Sequence, residues 1–192
     1  MATRIQHRQT GTGVTGEGEI RAGSGGDGQQ MAPSLTAEQV WRQVTKATFA
    51  VLCHVTPAGD PRSSGVLYKV VGGRLYVAVA PDSWKARHIP VSGQVAVTVP
   101  VRRGGLLSLV APIPPATVSF HARAIVHPAG SAHAGSLAKK LGSLLPAERQ
   151  QDSVWLIEVI PEGEFVTYGL GVSLPKMRIP EAARARVPVL RG

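Results

Sequence analysis

Asparagine is absent from this 192-residue chain, cysteine occurs once, and aromatic residues make up only 5%. A single Cys53 excludes an intramolecular disulfide and a cysteine-based metal site, and its apolar surroundings read as those of a small buried hydrophobe. With so few rings, the core has to be filled by Val, Leu, Ile and Ala, which the 43% hydrophobic content allows. No long uninterrupted apolar run occurs. The best stretch, residues 106–118, is broken by Pro112, Pro114 and Pro115, and the N-terminus has no apolar signal region. The expectation is therefore a cytoplasmic protein without a membrane span. Acidic residues are also scarce: 12 against 21 basic ones, a formal charge of +9. That surplus favours anionic partners. Several of the cations, such as Arg4, Arg8, Arg186 and Arg191, sit in the two tails, and no basic stripe or nucleic-acid motif accompanies them, so nucleic acid is not the expected partner. The absence of Asn and the excess of Arg over Lys fit a GC-rich genome.

Catalytic signatures are missing too. There is no Gly-x-Ser-x-Gly elbow. His121 and Arg123 alternate on one strand face and His54 precedes a turn, but neither histidine has a His-x-His or carboxylate companion at metal-ligand spacing.

Residues 1–33 are rich in Gly, Thr, Gln and Ser without hydrophobic periodicity, the composition of a disordered tail. A domain over 34–170 opens with Thr36 and Gln39 as a capping box, with Leu35 and Val40 as a hydrophobic staple. Strand patterns follow at 47–55, 62–71 and 74–80, the last two joined by the Gly72-Gly73 turn. A short helix at 83–89 precedes strands at 94–101 and 117–127, separated by the apolar loop 104–115. Leucines at helical spacing predict a helix over 136–145, and a last hairpin covers 153–160 and 164–168. The proline-containing tail 171–192 reads as irregular. Short strands with tight turns predict a mainly β (α+β) domain, an antiparallel barrel or sandwich.

The chemistry concentrates in 59–69 and 74–89. Arg62, Ser63, Ser64 and Lys69 place hydroxyls and cations on one strand, and Ser83, Lys85 and Arg87 place a second cluster at a helix start. Helix N-termini attract phosphate. A phosphate-bearing ligand across these strands would touch both clusters. Equally, Asp82 or Ser83 could simply cap the helix, with Lys69, Lys85 and Arg87 as solvated charges; Asp82 itself would compete with an anion.

The same stretch, through the strand at 94–101, resembles the flavin-binding core of the pyridoxamine 5′-phosphate oxidase-like split-barrel family. The resemblance implies an antiparallel split β-barrel with a few flanking helices, a homodimer with its site at the subunit interface, and a flavin or deazaflavin oxidoreductase acting on a small molecule. Lys69 matches the family's flavin-binding Lys, while its Arg position falls on Ser64; Arg62, on the same face, could replace that guanidinium. Ser83 and Lys85 match the Ser-Arg-Lys phosphate element, with Trp84 in place of Arg, and Val79 and Ala80 fall where backbone packs on the flavin. FMN is the cofactor so implied, the deazaflavin coenzyme the alternative, with haem, held by some split-barrel relatives, behind both; a non-catalytic cofactor- or haem-binding protein is the alternative function. The end of the chain, with Leu174, Pro175, Met177 and Ile179, lacks the family's Trp- and Arg-rich substrate segment, so the namesake substrate is not implied.

Overall fold

In the computed structural model, which describes residues 35–103, 114–142 and 154–189, the first helix begins where its capping box places it. Gln39 N–H donates to Thr36 Oγ1 (3.2 Å) and Thr36 N–H to Gln39 Oε1 (3.0 Å), starting α1 (Ala37–Lys46). Val40 and Val44 point into the core, and Trp41 meets Phe165 edge-on at 5.2 Å. The sequence segments 1–33 and 104–113, read above as a tail and most of an apolar loop, lie outside the described residues.

Strands β1 (Phe49–Val55) and β2 (Pro61–Leu67) form an antiparallel hairpin in the register Phe49↔Leu67 to Val55↔Pro61. The strand expected over 62–71 then divides. Tyr68 drops out of the ladder because its polar groups are satisfied elsewhere: its N–H donates to Thr48 C=O (3.0 Å) and its hydroxyl to Val44 C=O (2.6 Å). Beyond it, β3 (Lys69–Val71) turns through Gly72 and Gly73, at φ 57° and 69°, into β4 (Arg74–Val79). Such left-handed pairs suit a two-residue hairpin.

Helix α2 (Trp84–Ser92) runs past its expected end, through Pro90, and stops at left-handed Gly93. Strands β5 (Gln94–Val101) and β6 (Ala116–His127) follow, then α3 (Ala132–Leu141), which starts earlier than expected and whose expected continuation over 143–145 is outside the described residues. Strands β7 (Trp155–Pro161) and β8 (Glu164–Tyr168) make the last expected hairpin.

The C-terminal segment departs from the irregular reading. It forms a 3-10 turn (Pro175–Arg178), α4 (Pro180–Ala183) and β9 (Arg184–Pro188), which pairs antiparallel with β8. The prolines act as punctuation: Pro175 and Pro180 stand at first-turn positions and Pro188 ends the strand. Ala185 and Val187 alternate inward, so this short strand carries a buried face.

The sheet order is β2-β1-β5-β6-β7-β4-β3, with β8 joining β6 and β9 joining β8. Its two end strands, β2 and β3, are separated in the chain by Tyr68 alone. Laid flat, seven strands would hold them about 29 Å apart, whereas the step from Leu67 to Lys69 reaches about 7 Å. The sheet has to curl on itself. The result is an antiparallel split β-barrel; among the described residues no ladder joins β2 to β3 or to β4. Its interior is filled by Leu52, Val77, Val97, Val99, Val118, Ile157 and similar side chains.

A second, smaller cluster lies on the other face of β4 and β7, where Tyr76 and Leu156 meet Leu137 and Leu141 of α3. Glu158 is buried beside it, 2% exposed, and takes hydrogen bonds from Arg74 and from Tyr76 (3.2 Å), with His127 at 2.7 Å. Burial pushes the carboxyl upward, but the bonds from Arg74 and His127 and the Arg74 charge outweigh it and leave it below its ordinary value. A depressed folded-state value stabilises the fold above the unfolded carboxylate range, near pH 4.3, and that stabilisation is lost as pH falls through the folded value. Denaturant unfolding of Glu158→Gln at neutral pH is expected to show a loss of about 2 kcal/mol. Its stability should also fall less steeply on acidification than that of the wild type; parallel profiles would remove Glu158 from the acid response.

Candidate functional site

The gap between β2 and β4 is a cleft of about 310 Å³. One wall is Gly65, Val66 and Leu67 of β2; the other runs from Val77 through Val79 to Ala80, with Val154 beside it. Ser83 and Lys85, at the start of α2, close one side. The walls are apolar, with Gly65 of β2, Ala78 of β4 and Ala80 just past β4 keeping them small in places. The polar groups all come from one helix terminus.

That terminus is built locally. Ser83 is the N-cap, with extended backbone, and its Oγ accepts from Ala86 N–H at 3.3 Å. Accepting leaves the Ser83 hydroxyl proton free to donate toward the cleft. Arg87, the other cation considered from the sequence, is otherwise engaged: it donates to Asp82 C=O (2.8 Å) and its guanidinium lies 4.7 Å above the Trp84 ring. Lys85 is therefore the cation that this helix offers to the cleft.

Of the residues singled out from the sequence, the structure brings Val79, Ala80, Ser83 and Lys85 together around the cleft. Arg62, Ser63, Ser64 and Lys69 do not line it. Arg62 and Ser64 stand opposite His54 and Leu52 and share their inward face, while Ser63, opposite Cys53, lies on the other. Lys69, half-buried, stands opposite Tyr76 at the far end of the sheet order. A residue-by-residue match along one strand cannot register the break at Tyr68, which sends Lys69 to a different strand.

Sequence reasoning missed two things. Val154 joins the wall from a distant part of the chain, and nothing local marks it. Buried His54 and half-buried His88 pair beside Lys85, with ring centroids 5.7 Å apart. His54 is 5% exposed, and neither of its ring nitrogens has a hydrogen-bond partner among the described residues; the same is true of His88 Nδ1 and Ser64 Oγ. Burial, then the neighbouring His88, Lys85 and Arg62, pull the His54 imidazole below its ordinary value. A signal existed: Ala50, Leu52 and His54 alternate inward along β1, so the histidine occupies a core position. Among the described residues no three His, Cys, Asp or Glu side chains gather as a metal site, and no helix is long and apolar enough to cross a membrane.

No family model matches the chain, and no curated protein does. Solved structures do. A haem-binding protein from Mycobacterium smegmatis is similar over 80% of this chain and 57% of its own, with TM-score 0.56 and 15% identity. HutZ, the haem storage protein of Vibrio cholerae, is similar over 71% of this chain and 98% of its own, with TM-score 0.54 and 18% identity. General Stress Protein 26 from Bacillus anthracis matches at TM-score 0.51 and 19% identity, over 68% of this chain and 92% of that one. At such identities the likeness is one of fold alone, and the shared fold is an antiparallel split barrel.

The cap and the cation at the cleft separate cleanly by mutation. Ser83→Ala removes an N-cap and should cost about 1 kcal/mol in thermal or denaturant unfolding, Ser83→Gly only a few tenths. Lys85→Ala should stay within about 0.5 kcal/mol of the wild type. A Lys85 variant as unstable as Ser83→Ala would make Lys85 a structural residue.

Proposed function

We propose that the chain binds a flavin-type cofactor in the split of its barrel, anchoring the phosphate on Ser83 and Lys85, and acts as an oxidoreductase on a small molecule. The observation that carries this reading is the composition of the cleft: apolar walls of small side chains, with one hydroxyl and one ammonium group gathered at a helix N-terminus. A flat ring system needs the walls, and a phosphate needs the terminus. Bound there, an isoalloxazine or deazaflavin ring would carry the electrons itself. The chain's part is to hold the phosphate, lay the ring against Val79 and Ala80, and keep water from it. No general acid or base is required among the lining residues.

FMN is the first choice and the deazaflavin coenzyme the second, since both present a phosphate to Lys85. Two of the similar structures are named for haem. Haem iron takes an axial His, Cys, Met or Tyr, and the described lining of this cleft contains none of these. The cleft's own chemistry therefore favours the phosphate-bearing ring. Two exposed side chains support a homodimer with the site at its interface: Phe49 is 44% and Leu67 60% exposed, on the outward face of the β1–β2 hairpin, and Leu67 also lines the cleft. A second subunit seated there would cover that face and complete the cleft's open side.

Two measurements test the reading. In flavin-fluorescence titrations, Lys85→Ala removes a charge-assisted bond of about 1.5–3 kcal/mol, expected to weaken FMN binding roughly ten- to a hundredfold. Ser83→Ala should weaken it less, and riboflavin, which lacks the phosphate, should bind both forms alike. Unchanged FMN and deazaflavin-coenzyme affinity in Lys85→Ala would overturn the phosphate assignment. Light scattering at micromolar concentration is expected to give twice the 20.2 kDa chain mass; a 20.2 kDa species would rule out a shared site.

A further inference from the structure

Behind Lys85 the structure encloses a set of polar groups that the fold does not satisfy. His54, on the inward face of β1, is almost fully buried with both ring nitrogens unpartnered among the described residues. His88 of α2 lies with its ring 5.7 Å from that of His54, tilted by 49°, and its Nδ1 is enclosed and unpartnered as well. Ser64 Oγ, on the same inward face of the β1–β2 hairpin, is a fourth such atom, on a third residue. A buried polar atom left without a partner costs free energy. Three residues in this condition, next to the cation of the cleft, point to something that binds there.

The charges around them indicate its sign. From α2, Lys85 and His88 act on His54; from β2, Arg62 does, standing directly opposite it. From β5, the strand on the other side of β1, the inward residues are apolar Val95 and Val97. Lys85 and His88 are three residues apart on one helix, and so share a face. Lys85 belongs to both groups: it lines the cleft and it acts on His54. Burial and these like charges keep the His54 imidazole neutral below its ordinary range, which deprives the site of a positive charge when it is empty. An anion at Lys85 would reverse that balance.

We propose that His54 and His88 form a proton-linked inner wall of the Lys85 site, so that a dianion, such as a terminal phosphate group, binds together with a proton taken up by the pair. The proposal rests on reading Ser83 and Lys85 as the phosphate anchor, and adds that the anchor is pH-sensitive. The sign follows from linkage. The free protein's His54 value is depressed and the dianion raises it. Affinity therefore increases as pH falls from the bound-state value to the free-state value, at most about tenfold per pH unit for one proton. Outside that window it is flat.

Inorganic sulfate is a suitable probe, because it stays a dianion throughout and carries no flavin. The first measurement follows the His54 and His88 ring resonances by NMR against pH, with and without saturating sulfate. Sulfate is expected to move the His54 titration to higher pH. The second compares sulfate dissociation constants at several pH values for wild type and His54→Gln/His88→Gln. The wild type should lose about five- to tenfold in affinity per pH unit across the window, and the variant less than about twofold. Lys85→Ala should bind sulfate more weakly than the wild type.

Failure to bind sulfate, binding that leaves both ring titrations in place, or equal pH slopes in wild type and variant would each overturn the proposal. The ring titrations need no substitution, so they decide the matter even if the double variant fails to fold. FMN separates this inference from the function it deepens. Sulfate-coupled titration without FMN binding would discard the flavin and keep the switch. FMN binding with the same pH profile in wild type and variant would keep the flavin and discard the switch.

Discussion

Tyr68 is the residue on which the architecture depends. It occupies the single step between the first and last strands of the sheet order, and that step is too short for any open sheet to span. Its two hydrogen bonds, to the backbone of Thr48 and Val44, tie the step to the end of α1 and the approach to β1. Burial raises its hydroxyl well above the ordinary value, so the phenol stays a donor at any physiological pH. From this one joint follow the curl of the sheet, the gap between β2 and β4, and the position of the cleft within that gap.

Most of this fold was legible from local patterns. The capping box at Thr36 and Gln39, the Gly72-Gly73 turn and the alternation of Val95, Val97 and Val99 each act over a few residues, and each produced the expected element. What escaped was non-local. Tyr68 reads as an ordinary strand residue until its partners at Thr48 and Val44 are known. Strand β9 has a buried face only because β8 lies beside it, and prolines at its borders look like loop markers when the neighbour is unseen.

The candidate site divides along the same line. Ser83 and Lys85 are two residues apart at a helix start, and their placement around Val79 and Ala80 follows from one continuous strand-to-helix segment. Arg62, Ser63, Ser64 and Lys69 are close in the chain, yet alternation puts Ser63 on the opposite face from Arg62 and Ser64, the Tyr68 joint puts Lys69 on a separate strand, and none of the four lines the cleft. The His54–His88 pair is the converse case, distant in sequence and brought together because α2 packs on β1.

The long return from β4 to β7 has a kinetic consequence. These strands are neighbours in the barrel, yet Tyr76 and Glu158, paired across them, are 82 positions apart. Closing so long a loop must precede any reward from the contacts it brings, which slows folding. While the ribosome is still making the segment before β7, β4 has only β3 to pair with and exposes its other edge. The cleft, bounded by β4 and Val154, therefore comes into being only after the segment that carries Val154 and β7 has been made.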